Sequence, residues 1–120
     1  MVKRVRDLGA AHSGFSDWYW QRLSAVLLLV LLPLALASLW AVYWGVLDQS
    51  AFLDGFHSFI FRLLHTLLAV ALLVHAYMGL KVIIEDYVHT GFRVVWIALV
   101  LILMGGLGVC WLALIWAWGG

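Results

Sequence analysis

His75 lies in the middle of an otherwise apolar segment, and its position is the strongest indication of chemistry in this sequence. The uncharged residues Leu63 to Leu80 that surround it are about as many as a helix needs to cross a bilayer. An ionisable side chain at that depth is costly, so it usually faces a partner, a cavity or a cofactor. Neutral imidazole is also a common ligand of haem iron. The position of His75 therefore indicates either a haem ligand or a hydrogen bond to a neighbouring helix.

A polar cluster of Glu85, Asp86 and Tyr87 follows at the point where the same helix would reach the membrane surface. Asp86 and Tyr87 lie roughly 16–18 Å beyond His75 along the axis of a continuous helix. Small residues near His75 would leave room for a large flat cofactor: Ala71, Ala76 and Gly79. The pattern predicts a buried redox cofactor beneath a polar binding site.

The composition is that of an integral membrane protein, with 67% hydrophobic and 11% charged residues in a chain of 120. Three long uncharged stretches are each sufficient to span a hydrocarbon core of roughly 30 Å. They predict an all-α fold with a single membrane-anchor domain over residues 1–120. We expect an arm at 1–17 and three transmembrane helices at about 18–45, 58–87 and 92–117. Ser16 or Asp17 is well placed to cap the first of these helices.

The distribution of charge indicates the orientation in the membrane. Basic residues precede the first span and flank the second connection, whereas the first connection carries Asp48 and Asp54 and no Lys or Arg. The positive-inside rule then predicts a cytoplasmic N-terminus, and Trp and Tyr residues at both ends of the helices agree with it. The first apolar run is too long for a cleavable signal, and the N-terminus is not of the long Ser/Arg-rich kind that directs proteins to organelles. We therefore expect a multi-pass protein of a bacterial inner membrane.

The third predicted helix carries Gly105, Gly106 and Gly108, which are typical of close packing between helices in lipid. Cys110 is the single cysteine, so this chain forms no internal disulfide, and we interpret Cys110 as a packing residue. Three helices make a thin bundle. A partner membrane subunit is therefore predicted, and nothing in the sequence indicates nucleic acid as a partner.

A second ligand is needed if His75 binds haem iron with six-fold coordination. His65 lies on the same predicted helix, about 15 Å from His75, so the two cannot hold one iron from opposite faces. The other ligand is then expected from another chain. His65 is interpreted as a hydrogen-bond donor between helices, and a second haem at His65 remains an alternative.

The segment from His75 to Tyr87 resembles the smaller membrane-anchor subunit (the D subunit) of bacterial succinate dehydrogenase, respiratory complex II. The motif of that family reads H-A-x-x-G, then six residues, then D-Y, and His75-Ala76 to Gly79 and Asp86-Tyr87 match it. The match also includes Arg22 early in the first helix, the three-helix plan and the length. It therefore extends over essentially the whole chain, with its specific part in the second helix.

The resemblance implies a role for four residues. His75 corresponds to an axial ligand of a haem b, and the companion C-type anchor subunit supplies the other ligand. Tyr87 corresponds to a tyrosine that hydrogen-bonds a ubiquinone carbonyl, and Asp86 to an adjacent acid that orders the quinone site or its proton supply. Arg22 corresponds to an arginine near the haem propionates and the quinone pocket. One departure is Ser16, where the family has a histidine before the aspartate, so the resemblance does not carry propionate contacts over to the arm.

The resemblance further implies an anchor subunit of succinate:ubiquinone oxidoreductase that carries no catalytic residue for succinate itself. Its partners would be the C-type anchor, an iron–sulfur subunit with its clusters and a flavoprotein subunit with FAD. The alternatives are the anchor of a fumarate reductase or another haem b complex, with menaquinone in place of ubiquinone. A structural membrane subunit without a cofactor is the alternative from a different class.

Overall fold

The computed structural model describes residues 10–118 and the side chains of residues 15–117. Within this range the chain is helical, and no strand occurs. The α-helices are α1 (Ala10–Tyr43), α2 (Gln49–Asp54), α3 (Phe59–Tyr87) and α4 (Phe92–Trp118), and a 3-10 turn covers Gly55–His57. In the part of the chain that the structure describes, three segments are long and apolar enough to cross a membrane: Phe15–Tyr43, Phe59–Tyr87 and Phe92–Ala117. The predicted all-α fold with three transmembrane helices is confirmed.

Helix α1 already includes Ala10, well before its predicted start at about residue 18. Ser16 and Asp17 therefore lie inside the helix, and the interpretation of either residue as its N-cap is wrong. The Asp17 carboxylate instead accepts a hydrogen bond from Lys81 Nζ of α3 at 3.0 Å. Residues 1–9 of the predicted arm lie outside the described residues.

The connection between α1 and α3 is more ordered than the predicted loop, because it contains α2 and the 3-10 turn. Helix α1 ends at Tyr43, and Gly45 follows with a φ of 72°, a left-handed conformation that favours glycine. The backbone N–H of Val46 then bonds the carbonyl of Ala41 at 2.9 Å. Helix α2 has only 6 residues, too few to show a helical period in the sequence.

Helix α3 lies between α1 and α4 and packs against both of them. Among residues 15–117, few apolar side chains are buried, and most of them belong to this helix: Leu68, Ala69, Ala71 and Ile115. Large apolar side chains on the outer faces remain exposed, such as Leu29 on α1 at 75% and Ile102 on α4 at 70%. Such surfaces require lipid or another membrane subunit around the bundle.

Gly108 brings α3 and α4 into close contact. A Cβ at this position would lie 3.0 Å from Leu73 Cδ1, whereas a Cβ at Gly105 or Gly106 would meet nothing within 4 Å. Small residues allow this kind of approach between membrane helices. The prediction that the glycines of the third helix serve helix packing is thus confirmed for Gly108 within this chain.

Replacing Gly108 with Leu should lower the free energy of unfolding by about 1–3 kcal/mol, the usual cost of inserting extra atoms into a packed contact. Thermal unfolding of the purified protein in detergent measures the change. Gly106→Leu is the matched control on the same helix, and we expect it to cost less because its side chain has open space. Equal losses in the two variants would contradict the assigned contact.

Candidate functional site

His75 lies on α3 at its contact with α1, where it meets a hydroxyl group. Its Nδ1 atom is 3.2 Å from Ser24 Oγ. Ser24 is only 3% exposed, and its Oγ donates a second hydrogen bond to the carbonyl of Gln21 at 3.0 Å. His75 itself is half-buried within this chain. The imidazole is therefore held at one nitrogen by a buried side chain of a different helix.

The two bonds of Ser24 determine which imidazole nitrogen carries the proton. A serine hydroxyl has a single hydrogen to donate and can accept as well. Because Ser24 donates this hydrogen to the Gln21 carbonyl, its Oγ atom must accept a hydrogen bond from the Nδ1–H group of His75. Both bonds form together only in this tautomer, because the other tautomer would make them compete for one hydrogen. The Nε2 atom of His75 then presents a lone pair that is suited to a metal ion.

The small residues near His75 do not share one open face. Ala71 is 2% exposed, so it is packed inside the bundle and leaves no room for a cofactor. Ala76 lines an apolar groove between α3 and α4, together with Met104. Gly79 has nothing within 4 Å of a Cβ added to it. The expectation that all three make space for a cofactor is therefore wrong for Ala71, and Gly79 provides the open surface one turn from His75.

Asp86 and Tyr87 end helix α3, which continues without a break from His75. The predicted separation of roughly 16–18 Å along the axis therefore holds. Tyr87 is 80% exposed, and the side chains of Asp86 and Tyr87 form no hydrogen bond or ion pair with residues 10–118. Both side chains are exposed within the part of the chain that the structure describes.

An ion pair joins α1 and α3 between His75 and this polar end. Lys81 Nζ lies 3.0 Å from the Asp17 carboxylate and 4.0 Å from that of Glu85 on its own helix. The Lys81 and Asp17 side chains are about three-quarters buried. The pair ties the polar end of α3 to α1. The spacing of Lys81 and Glu85 was visible in the sequence, whereas the partner on α1 had no local signal.

Arg22 stands apart from the other predicted site residues within this chain. Its guanidinium lies over the Trp18 ring, 5.6 Å from the ring centroid, and the residue is exposed. Arg22 precedes Ser24 by two positions, which places the two on different faces of the helix. Since Ser24 faces α3, Arg22 is directed toward the surroundings of the bundle.

The comparisons with known proteins identify the family. The family described as "Succinate dehydrogenase/Fumarate reductase transmembrane subunit" matches residues 1–114. The chain belongs to this family. Two similar proteins are the succinate dehydrogenase hydrophobic membrane anchor subunits of Rickettsia bellii and Rickettsia conorii. Each is 28% identical over 94 residues, covering 72% of this chain and 68% of the relative. No solved structure matches the chain.

The family resemblance recognised in the sequence is thereby confirmed, and the protein is a multi-pass membrane anchor of this succinate dehydrogenase/fumarate reductase family. The two relatives carry the name of succinate dehydrogenase, an oxidoreductase complex. The family match over residues 1–114 includes the first two membrane segments and most of the third.

His65 of this transmembrane subunit lies in an aromatic cluster and lines a cavity between α1 and α3. Its Nδ1 bonds the carbonyl of Phe61 at 2.9 Å, one turn earlier on α3. Its ring lies 4.3 Å from that of Phe61 and 4.9 Å from that of Phe56. The Nδ1 atom of His65 thus bonds its own helix, and a hydrogen bond from its Nε2 atom to another helix stays a prediction. Among the described residues, no group of three or more His, Cys, Asp or Glu could hold a metal ion.

Proposed function

We propose that this chain is the membrane anchor of a succinate:ubiquinone oxidoreductase that contributes an axial ligand to haem b and part of the ubiquinone-reduction site. His75 Nε2 is the ligand, and a C-type anchor subunit supplies the other one. The observation that carries the proposal is the hydrogen bond between His75 Nδ1 and Ser24 Oγ. Metal-binding histidines commonly donate their second ring N–H in this manner.

The residues around His75 are compatible with a haem. Gly79 leaves open surface beside the imidazole, and His75 is only half-buried by this chain. When bound, the haem would supply one-electron redox chemistry inside the membrane. Ser24 would hold the imidazole, and the apolar helices would keep water away from the site. Arg22 faces outward and is available to a haem propionate or to quinone at the boundary with the partner subunit.

Tyr87 and Asp86 would bind ubiquinone at the cytoplasmic end of α3. The Tyr87 hydroxyl donates a hydrogen bond to a quinone carbonyl oxygen and stabilises the negative charge that develops there during reduction. Reduction of ubiquinone to ubiquinol takes up two electrons and two protons. Asp86 is adjacent and exposed, so its carboxylate can exchange protons with the cytoplasm and pass them toward the quinone.

The proposed orientation places the N-terminus and the connection between α3 and α4 in the cytoplasm of a bacterium, with the protein in its inner membrane. The iron–sulfur subunit then docks above Tyr87 and carries electrons from the FAD of the flavoprotein subunit. Succinate reacts at the flavoprotein, so this chain takes no part in succinate chemistry. The exposed apolar faces of α1 and α4 meet lipid and the C-type subunit.

Purification of the assembled complex through a tag on this chain tests the proposal. We expect one haem b per complex in the reduced-minus-oxidised spectrum, together with succinate-dependent reduction of ubiquinone. A complex without haem would contradict the role of His75, and two haems would support a second site at His65. Fumarate reduction by a menaquinol analogue with no succinate oxidation would contradict the direction and the quinone.

A further inference from the structure

Ser24 is a buried polar residue of α1 at its contact with α3. Among the side chains of residues 15–117, it is the only polar or charged one that is buried. A buried hydroxyl is costly unless its hydrogen-bonding capacity is used. Ser24 uses it on the Gln21 carbonyl of its own helix and on His75 of α3. The second of these bonds links the two helices at the proposed iron ligand.

The chemistry of an iron-bound imidazole defines what Ser24 must do. When Nε2 binds iron, the proton of the neutral ring is on Nδ1, which can only donate. Ser24 Oγ is 3.2 Å from this nitrogen and can accept because its own hydrogen goes to Gln21 at 3.0 Å. The chain from His75 through Ser24 to Gln21 is thus oriented in one direction before iron binds.

We infer that Ser24 is a positioning residue for the haem, which fixes the tautomer and the ring orientation of His75 and thereby lowers the haem midpoint potential. The inference rests on the proposed haem ligation by His75. A partner that accepts a hydrogen bond from the Nδ1–H group raises the basicity of a metal-bound histidine. A more basic ligand donates more electron density and favours ferric over ferrous iron.

Measurement of the haem midpoint potential in the assembled complex tests this role, with Ser24→Ala as the main variant. We expect the midpoint potential to rise by up to about 59 mV. For a one-electron couple this equals a change of about tenfold in the equilibrium between ferric and ferrous haem. The ferric EPR spectrum should also change, because the free imidazole ring can rotate. Ser24→Thr restores a hydroxyl and should return both readouts toward those of the wild type.

Ser38→Ala is the matched control on the same helix. Ser38 Oγ also bonds a carbonyl one turn earlier, that of Ala35 at 2.7 Å, but has no histidine partner. Its replacement should leave the potential and the EPR spectrum unchanged. A general effect of removing a serine from α1 would alter both variants alike and overturn the inference.

The outcomes separate this inference from the proposed function. Absence of haem in the wild-type complex would remove the proposed function and the inference with it. A haem that keeps its potential and EPR spectrum in Ser24→Ala would overturn the inference and leave the ligation intact. If the complex with Ser24→Ala does not assemble, the midpoint potentials of Ser24→Thr and Ser24→Val are compared instead. These two variants have the same shape, and a hydroxyl in the first replaces a methyl in the second. Equal potentials in that pair would overturn the inference, and a lower potential in Ser24→Thr would support it.

Discussion

Replacing Tyr87 with Phe should lower the kcat of succinate-driven ubiquinone reduction by about 10²-fold. The substitution removes only the hydroxyl, and loss of one donor that stabilises developing negative charge typically costs that much or more. The side chain is 80% exposed, so folding and assembly should be unaffected. A water-soluble dye can take electrons from the flavoprotein and iron–sulfur subunits without the membrane subunits. Reduction of such a dye should remain at the wild-type rate.

Tyr43→Phe provides a matched control for the tyrosine. Tyr43 ends α1 at the opposite end of the bundle and is 75% exposed, close to the exposure of Tyr87. Its replacement should leave quinone reduction unchanged. If Tyr87→Phe retains full quinone reduction, or if quinone and dye reduction fall together, the assignment of Tyr87 to the quinone site fails.

Replacing His75 with Ala should remove or strongly alter the haem b spectrum of the complex. Removing a residue that only hydrogen-bonds a metal ligand typically lowers metal affinity by about 10- to 100-fold. Loss of the ligand itself should therefore lower haem affinity by more than about 100-fold. The haem content of the purified complex, measured by its reduced-minus-oxidised spectrum against protein concentration, reports this loss. Flavin content serves as the measure of assembly.

His65→Ala is the control for the histidine, because both residues lie on α3 about 15 Å apart. The His65 ring packs among Phe rings and bonds a carbonyl of its own helix. We expect this variant to retain the full haem signal, with at most some loss of stability. Loss of haem in His65→Ala with retention in His75→Ala would contradict the assignment of the ligand.

The sequence was sufficient to predict the elements that carry the site. Apolar length alone predicts the three membrane segments, and the spacing from His75 to Tyr87 requires only that one helix be continuous, which α3 is. The close contact at Gly108 also follows from residue size. The family assignment rested on the same helix, through the motif from His75 to Tyr87, and the family comparison agrees with it.

Contacts between distant segments were not predictable from the sequence. Ser24 and Asp17 both face α3, where they meet His75 and Lys81. Helical periodicity indicates which residues share a face but not which residue of another helix lies opposite. Asp17 was consequently interpreted as a local helix cap. A polar residue within the apolar run of α1 was the available signal for Ser24, since a hydroxyl at that depth needs a partner.

A cryo-EM map of the assembled complex tests the central claim most directly. We expect a haem between this chain and its anchor partner, with iron bonded to Nε2 of His75 and Nδ1 facing Ser24 Oγ. The second axial bond should come from a histidine of the partner subunit. A map in which His75 Nε2 contacts only a neighbouring helix, or in which the iron is held by other residues, would contradict the claim.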